Sequence, residues 1–436
     1  MIRLRTSRIG VVAVFGLAAA LTTCGRDEPE IPAEAADVFW SDDTLTAADI
    51  EAGRRDSTWR KAVRLDRRTT VVKALDTVPI PEAFDDLGRA AEEARVVDLP
   101  GPASVQLPLF GDVEGPSVLF AQILLDRVRF SPGVLDGKWG KNTEKAVYWF
   151  QHREDLPASG IVDSITFTRL HARADAPEAF LREHLLTEKD VAGPFVDIPA
   201  DVYAQRRLDC MCFESLAEKL GERFHATPAV LAALNPGVSL DSLRVGDSLL
   251  VPDLGIVESR SGTSPLDSIG ATPASSEPGI GHVLVSGLGS YLHVLDEEGR
   301  ILYHFPTTLG SSYDPSPEGE VEVVSVTPDP WFHYQPSLLG GVDRSKPSTL
   351  IPPGPNNPVG RVWIKLSKPH YGIHGTREPA TIGYETSSGC VRLTNWDAMF
   401  LGARLGPGVT VEFRATRAAL QGPDSLPAAP LQDDGG

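Results

Sequence analysis

The chain has 436 residues, enough for two to four domains of ordinary size. Its apolar content of 42% and charged content of 23% are those of globular protein. A formal net charge of −18 argues against nucleic acid and anionic headgroups as main partners, because their phosphates would be repelled. The 36 prolines and 40 glycines fall unevenly along the chain, as expected of compact units joined by linkers.

Residues 1–24 read as a signal rather than as fold. Arg3, Arg5 and Arg8 form a cationic start, and Ile9 to Leu21 is an apolar run short for a bilayer span. Leu21-Thr22-Thr23-Cys24 comes next and resembles a lipoprotein signal, in which Cys24 is lipidated and becomes the first mature residue. Thr23 is larger than the residue usual before such a cysteine, and the other reading is an ordinary secretory peptide. Both imply export. With Cys24 and Cys390 set aside, only Cys210 and Cys212 remain to be oxidised, and one intervening residue makes a tight ring. The expectation for these two is a pair of buried thiols beside a helix start, since no nearby histidines complete a metal site. No disulfide framework can hold such a chain, so it must have true cores.

Residues 25–111 read as an acidic, partly ordered tether, with a weak amphipathic helix over 82–96 that aligns Phe84, Leu87, Ala91 and Ala94. Residues 112–175 carry a helix around Val118 to Leu125, an Asp136-Gly137 turn and a helix ending in Phe150-Gln151. A glycine turn at Gly160 and Val162-Asp163 then lead into Thr166 to Leu170. This order resembles the small three-helix peptidoglycan-binding domain. Residues 200–253 hold a helix from Ser215, a second helix capped by Thr227, Asn235-Pro236 and the ending "LRVGDSLLVP". They resemble a LysM module of βααβ form, which implies binding to glycans that contain N-acetylglucosamine. Its usual opening strand is expected to be replaced by "RRLDCMCF".

Residues 254–279 read as a flexible linker rich in Ser, Gly, Pro and Thr, which predicts that the domain C-terminal to it folds by itself. From 280 to 416 short alternating segments recur at His282–Val285, Leu292–Leu295, Ile301–Tyr303, Val321–Val326 and Arg361–Leu366, a mostly β pattern. Residues 417–436 read as a disordered tail. The fold class is therefore multidomain α+β.

The chemistry is concentrated in "YGIHGTREPATIGYETSSGCVRLTNWDAMFL". His374 precedes Cys390 by sixteen residues. A thiol attacks as thiolate and needs a nearby base, and an imidazole can take that proton and later give it to a leaving amine. Gly375 lets backbone approach the ring, and Ser388-Gly389-Cys390 leaves backbone N–H groups able to face an oxyanion. A metal site of His370 and His374 requires both on one helix face, which Pro369 and Gly372 oppose. The remaining histidines of the β segments (His282, His293, His304 and His333) read as structural.

His-Gly-Thr followed by Ser-x-Gly-Cys-Val-Arg-Leu resembles the signature of the L,D-transpeptidase catalytic domain. "SPEG" at 316–319 and "PPGPNNPVGRVWIKLSKPHYGIHGT" from Pro352 agree with it. The resemblance implies that Cys390 is the acylated nucleophile, His374 the base and the Gly375 carbonyl its orienting partner. It implies substrate or oxyanion contacts from Ser388, Gly389, Arg392, Tyr371 and Thr376, and no metal or other cofactor. Where the family usually has histidine before the glycine, this chain has Ser388. The implied activity is a 3→3 cross-link between peptidoglycan stem peptides. Water or another amine as acceptor would make it an L,D-carboxypeptidase or a protein-to-wall attachment enzyme. A non-catalytic wall-binding protein is the alternative of another class. Peptidoglycan is the expected partner, with a membrane contact through a lipid on Cys24, and the periplasmic envelope the expected location.

Overall fold

Two glutamines organise the first helical unit. Helix α1 (Pro116–Arg127) carries Gln122, whose Oε1 accepts from Asp136 N and Gly137 N. Its Nε2 donates to Asp136 Oδ1, Lys138 O and Thr143 Oγ1. Helix α2 (Lys141–Arg153) repeats the device. Gln151 Oε1 accepts from Ser159 N and Gly160 N, while its Nε2 donates to Ile161 O and Thr166 Oγ1. Buried backbone groups must be paired, so each glutamine closes the glycine turn beside its helix. Asp163 then caps α3 (Ser164–Arg173) by accepting from Thr166 N at 2.7 Å.

This computed structural model describes residues 105–175, 180–255, 279–287, 289–310, 316–338 and 342–414. The leader with Cys24, the helix expected over 82–96, nearly all of the tether, most of the 254–279 linker and the C-terminal tail lie outside the described residues. No helix of the described residues is long and apolar enough to cross a membrane.

The second unit begins earlier than expected. Strand β1 (Leu181–Leu185) pairs antiparallel with β2 (Ser248–Pro252), from Leu181↔Pro252 to Leu185↔Ser248. An opening strand is therefore present, upstream of residue 200, and "RRLDCMCF" does not take its place. An insertion over 186–215, which carries the short helices α4 (Glu188–Val191) and α5 (Val202–Gln205), separates this strand from the helices that follow. Helices α6 (Leu216–Arg223) and α7 (Pro228–Leu234) come next, capped by Ser215 and Thr227. Asn235 joins α7 to the sheet by donating to Leu231 O and Leu250 O and accepting from Leu250 N.

Cys210 and Cys212 are not free thiols. They form a disulfide, and both are partly exposed. The buried side chain between them is Met211, whose N–H donates to Pro353 O and whose carbonyl accepts from Asn356 N.

The C-terminal domain is one eight-stranded sheet in the order β11-β10-β9-β6-β12-β3-β4-β5. Its strands are β3 (His282–Ser286), β4 (Tyr291–Leu295), β5 (Ile301–Pro306), β6 (Gly319–Pro328), β9 (Val362–Leu366), β10 (Gly372–His374), β11 (Val391–Arg392) and β12 (Thr410–Arg414). A ribbon of β7 (Phe332–Tyr334) and β8 (Thr349–Ile351) stands beside it, and helix α8 (Asn395–Gly402) packs on β9. Side chains alternate across a strand. Val283, Val285, Leu292 and Val294 enter the domain's own core with Ile364, Ile373, Val391, Leu401 and Val411.

The other face is not left to solvent. Leu284, Tyr291, Leu295 and Ile301 belong to one continuous core with Phe130, Phe150, Phe224 and Leu231 of the helical units. Strand β4 is buried on both faces, which is why it reads as a nearly unbroken apolar run. Trp149 packs edge-on against His293, and His293 Nε2 lies 3.0 Å from His304 Nδ1. The linker predicts a sheet domain that folds by itself, whereas its second face is covered by the helices in a shared core. The described chain is α+β overall.

Candidate active site

Strands β10 and β11 run parallel, with Ile373 opposite Val391 and His374 opposite Arg392. Ile373 and Val391 both point into the core. Alternation therefore sets Gly372 and His374, with Cys390 and Arg392, on the opposite face. The sequence separates these side chains by sixteen residues, and the parallel pairing brings their strands together.

His374 is buried, with its ring stacked on Trp363 at 5.4 Å between centroids. Its Nδ1 lies 2.7 Å from Gly375 O. A carbonyl only accepts, so Nδ1 carries the proton and Nε2 holds the lone pair. Burial, helped by the Arg392 charge and opposed by the Gly375 bond, depresses the imidazole to about 3. The ring is neutral in the tautomer that a general base requires.

Cys390 is partly exposed and, among the described cysteines, it alone is free of a disulfide. Burial pushes its thiol up, while the Gly372 N–H and the Arg392 charge pull it down. The thiol donates to His370 O at 3.7 Å. Its hydrogen bonds thus run to the backbone of His370 and Gly372, and none among the described residues runs to the His374 ring. His370 has φ +67° and is exposed, and residues 370–374 form no helix. Among the described residues no group of three His, Cys, Asp or Glu side chains could hold a metal ion.

The turn before the thiol is stapled by two serines that the sequence pattern does not single out. Ser387 Oγ donates to Cys390 O at 2.6 Å, and Ser316 Oγ donates to Gly389 O at 2.9 Å while accepting from Gly310 N. Gly389 is buried with φ +96°, a conformation that a side chain would strain. Ser388 is exposed. The "SPEG" and "TSSGC" segments hold the signal for both serines, but only the fold shows that they meet.

Arg392 is tied into the site by its backbone, exchanging bonds with Thr308 at 2.9 and 3.1 Å. Its Nε is buried without a hydrogen-bond partner among the described residues. An unsatisfied buried donor costs about 1–3 kcal/mol, and a bound anion would relieve it. Tyr371 is partly buried, with Lys368 Nζ 4.4 Å from its ring centroid. Thr376 is buried, and its Oγ1 accepts from Glu378 N.

Two stretches of the chain match families of known proteins. Residues 281–412 match the family model described as "L,D-transpeptidase catalytic domain", and residues 114–170 match "Putative peptidoglycan binding domain". The chain is 28% identical over 194 residues to "Putative L,D-transpeptidase YkuD" of Bacillus licheniformis, covering 44% of this chain and 90% of the relative. It is 30% identical over 130 residues to the protein of the same description from Bacillus subtilis, covering 30% of this chain and 63% of the relative, less than two thirds of its length. A solved L,D-transpeptidase from Xylanimonas cellulosilytica (its residues 123–326) aligns over 71% of this chain and 98% of its own, at 15% identity and a TM-score of 0.30. The chain therefore carries an L,D-transpeptidase catalytic domain at residues 281–412 and a peptidoglycan-binding domain at residues 114–170.

Proposed function

We propose that the protein is a peptidoglycan L,D-transpeptidase that forms 3→3 cross-links through a thioester on Cys390. The observation that carries this is the neutral His374, its Nδ1–H committed to Gly375 O, on the same sheet face as the Cys390 thiol. Cys390 Sγ attacks the carbonyl carbon of the third residue of a donor stem tetrapeptide, and the thiol proton passes to His374 Nε2. The resulting oxyanion is met by backbone N–H groups of the Ser388-Gly389-Cys390 turn. Collapse breaks the peptide bond, and Nε2 returns its proton to the departing D-alanine amine. The side-chain amine of another stem's third residue then attacks the thioester. It yields a proton to Nε2, the C–S bond breaks, and the thiol is restored. Arg392, with its unpartnered Nε, suits a substrate carboxylate.

The βααβ unit and the three-helix unit would hold the enzyme on the wall polymer, the former in the manner of a LysM module. A lipid on Cys24 would tether it at the periplasmic membrane surface. The test is incubation with disaccharide-tetrapeptide followed by mass spectrometry. A cross-linked dimer that has lost one D-alanine supports the proposal. Tripeptide monomer alone indicates a carboxypeptidase, and unchanged substrate with an unreactive Cys390 indicates a wall-binding protein without catalysis.

A further inference from the structure

The Gly375 residue whose carbonyl meets His374 packs against a buried amide that bonds to another unit of the chain. A Cβ on Gly375, or on Gly360 beside it, would overlap Asn395 Oδ1. Asn395 opens α8 and is fully buried. Its Oδ1 accepts from Arg361 N at 3.1 Å, and its Nδ2 donates to Pro355 O at 3.1 Å and to Glu222 Oε2 at 2.8 Å. The orientation of the amide is settled by that set, because only its oxygen can accept from a backbone N–H. Glu222 lies on α6, in the βααβ unit. The charged groups around it are otherwise engaged. Arg361 pairs with Asp329, and Glu218, one turn earlier on α6, accepts from Asn356 Nδ2 and Glu214 N. On α8 itself, Asp397 accepts from Ser131 Oγ and lies near Asp126 and His225.

On the reading of Cys390 as nucleophile and His374 as base, we infer that Glu222 and Asn395 are positioning residues of the catalytic pair. Glu222 anchors the Asn395 amide, the amide fixes the Gly375 peptide, and the Gly375 carbonyl holds His374 Nδ1–H. The βααβ unit is then part of the scaffold of the active site, besides any role in holding the wall.

Loss of water around the Glu222 carboxylate raises it to about 7, with Glu218 and Asp329 adding to the rise and the Asn395 bond and Arg361 opposing it. An ionised acceptor grips Nδ2–H more tightly than the neutral acid. The anchor therefore strengthens as pH rises through about 7.

The experiment uses the full chain, Glu222→Gln and Glu222→Leu, each reacted with a carbapenem from pH 5 to 9. The adduct on Cys390 is followed by intact mass, and melting temperatures are recorded alongside. Glu222→Leu should slow acylation at pH 8 about tenfold or more, in keeping with the steep dependence of rate on small misplacements of reacting groups. Glu222→Gln should fall between the two and lack the rise through about pH 7, which Asp397→Asn should keep. If Glu222→Leu does not fold, the pH profile of Glu222→Gln decides alone. Wild-type rates and an unaltered pH profile in the Glu222 variants would overturn the proposal. A wild type that forms no adduct would instead overturn the assignment of Cys390 and His374 on which it rests.

Discussion

Lys145 on α2 donates its ammonium protons to the carbonyls of Gly289 and Ser290, at 3.1 and 3.2 Å, across the junction between the peptidoglycan-binding helices and the catalytic sheet. A lysine is seldom buried without such partners. On the sheet side Tyr291, Leu284, Leu295 and Ile301 lie in the same core as the helices. The junction is thus an interior of the protein, and a fragment that lacks the helical units would expose it.

A fragment starting at residue 279 should therefore fold poorly. Each large apolar side chain uncovered loses about 1.5–3 kcal/mol of burial, and four of them rival the roughly 5–15 kcal/mol that holds an ordinary domain together. The expected outcome is an aggregated fragment, or one that melts well below the full chain in circular dichroism. A monomeric fragment with the full chain's melting temperature would show that the shared core contributes nothing.

Met211 should matter more than the disulfide that brackets it. Its side chain is fully buried and its backbone bonds Pro353 and Asn356, so Met211→Ala should cost about 2–5 kcal/mol. Cys210 and Cys212 close a very small ring, and loop closure on that scale removes little unfolded-state entropy, about 1–2 kcal/mol. Urea denaturation of Met211→Ala and of the double Cys→Ser variant ranks them, and the reverse order would refute the docking role given to Met211.

The sequence marks the residues proposed for the chemistry but not what supports them. His374, Gly375, Cys390 and Arg392 stand in one short segment, so their candidacy is legible from chain order. Glu222 and Ser316 lie far outside it, and only tertiary packing brings them to Asn395 and Gly389. Strand β1 was missed because a long insertion separates it from the helices it precedes. The shared core was missed because a Ser-, Gly- and Pro-rich segment signals a break in chain order and says nothing of contacts made around it.

Asp397 should make stability depend on pH. It is buried, and burial, with Asp126 adding to it, raises its carboxyl from 3.8 to about 6, against the Ser131 and Thr394 bonds and His225. A carboxyl whose folded pKa lies above its unfolded one stabilises the fold fully below pH 3.8. That contribution is lost as pH rises through about 6. At about 1.4 kcal/mol per unit, wild type should lose roughly 2–3 kcal/mol relative to Asp397→Asn between pH 3.5 and 7. Parallel stability curves for the two proteins over that range would show that Asp397 does not titrate as stated.

Substitutions of the proposed catalytic pair should separate nucleophile from base. Cys390→Ser exchanges the thiol for a hydroxyl of far higher pKa and should abolish transfer and carbapenem adduct alike. His374→Ala leaves the thiol without its proton acceptor. Because burial already holds that thiol above its ordinary value, little thiolate exists at neutral pH to act unaided. The loss should be about 10²–10⁴-fold, the usual worth of a positioned base. Cys390 is partly exposed, so its variant should melt close to wild type. His374 is buried and stacked on Trp363, so His374→Ala should melt lower, and acylation is compared at a temperature where both are folded. His374→Ala acylated at the wild-type rate would remove the base from this mechanism, and an adduct on a thiol other than Cys390 would remove the nucleophile.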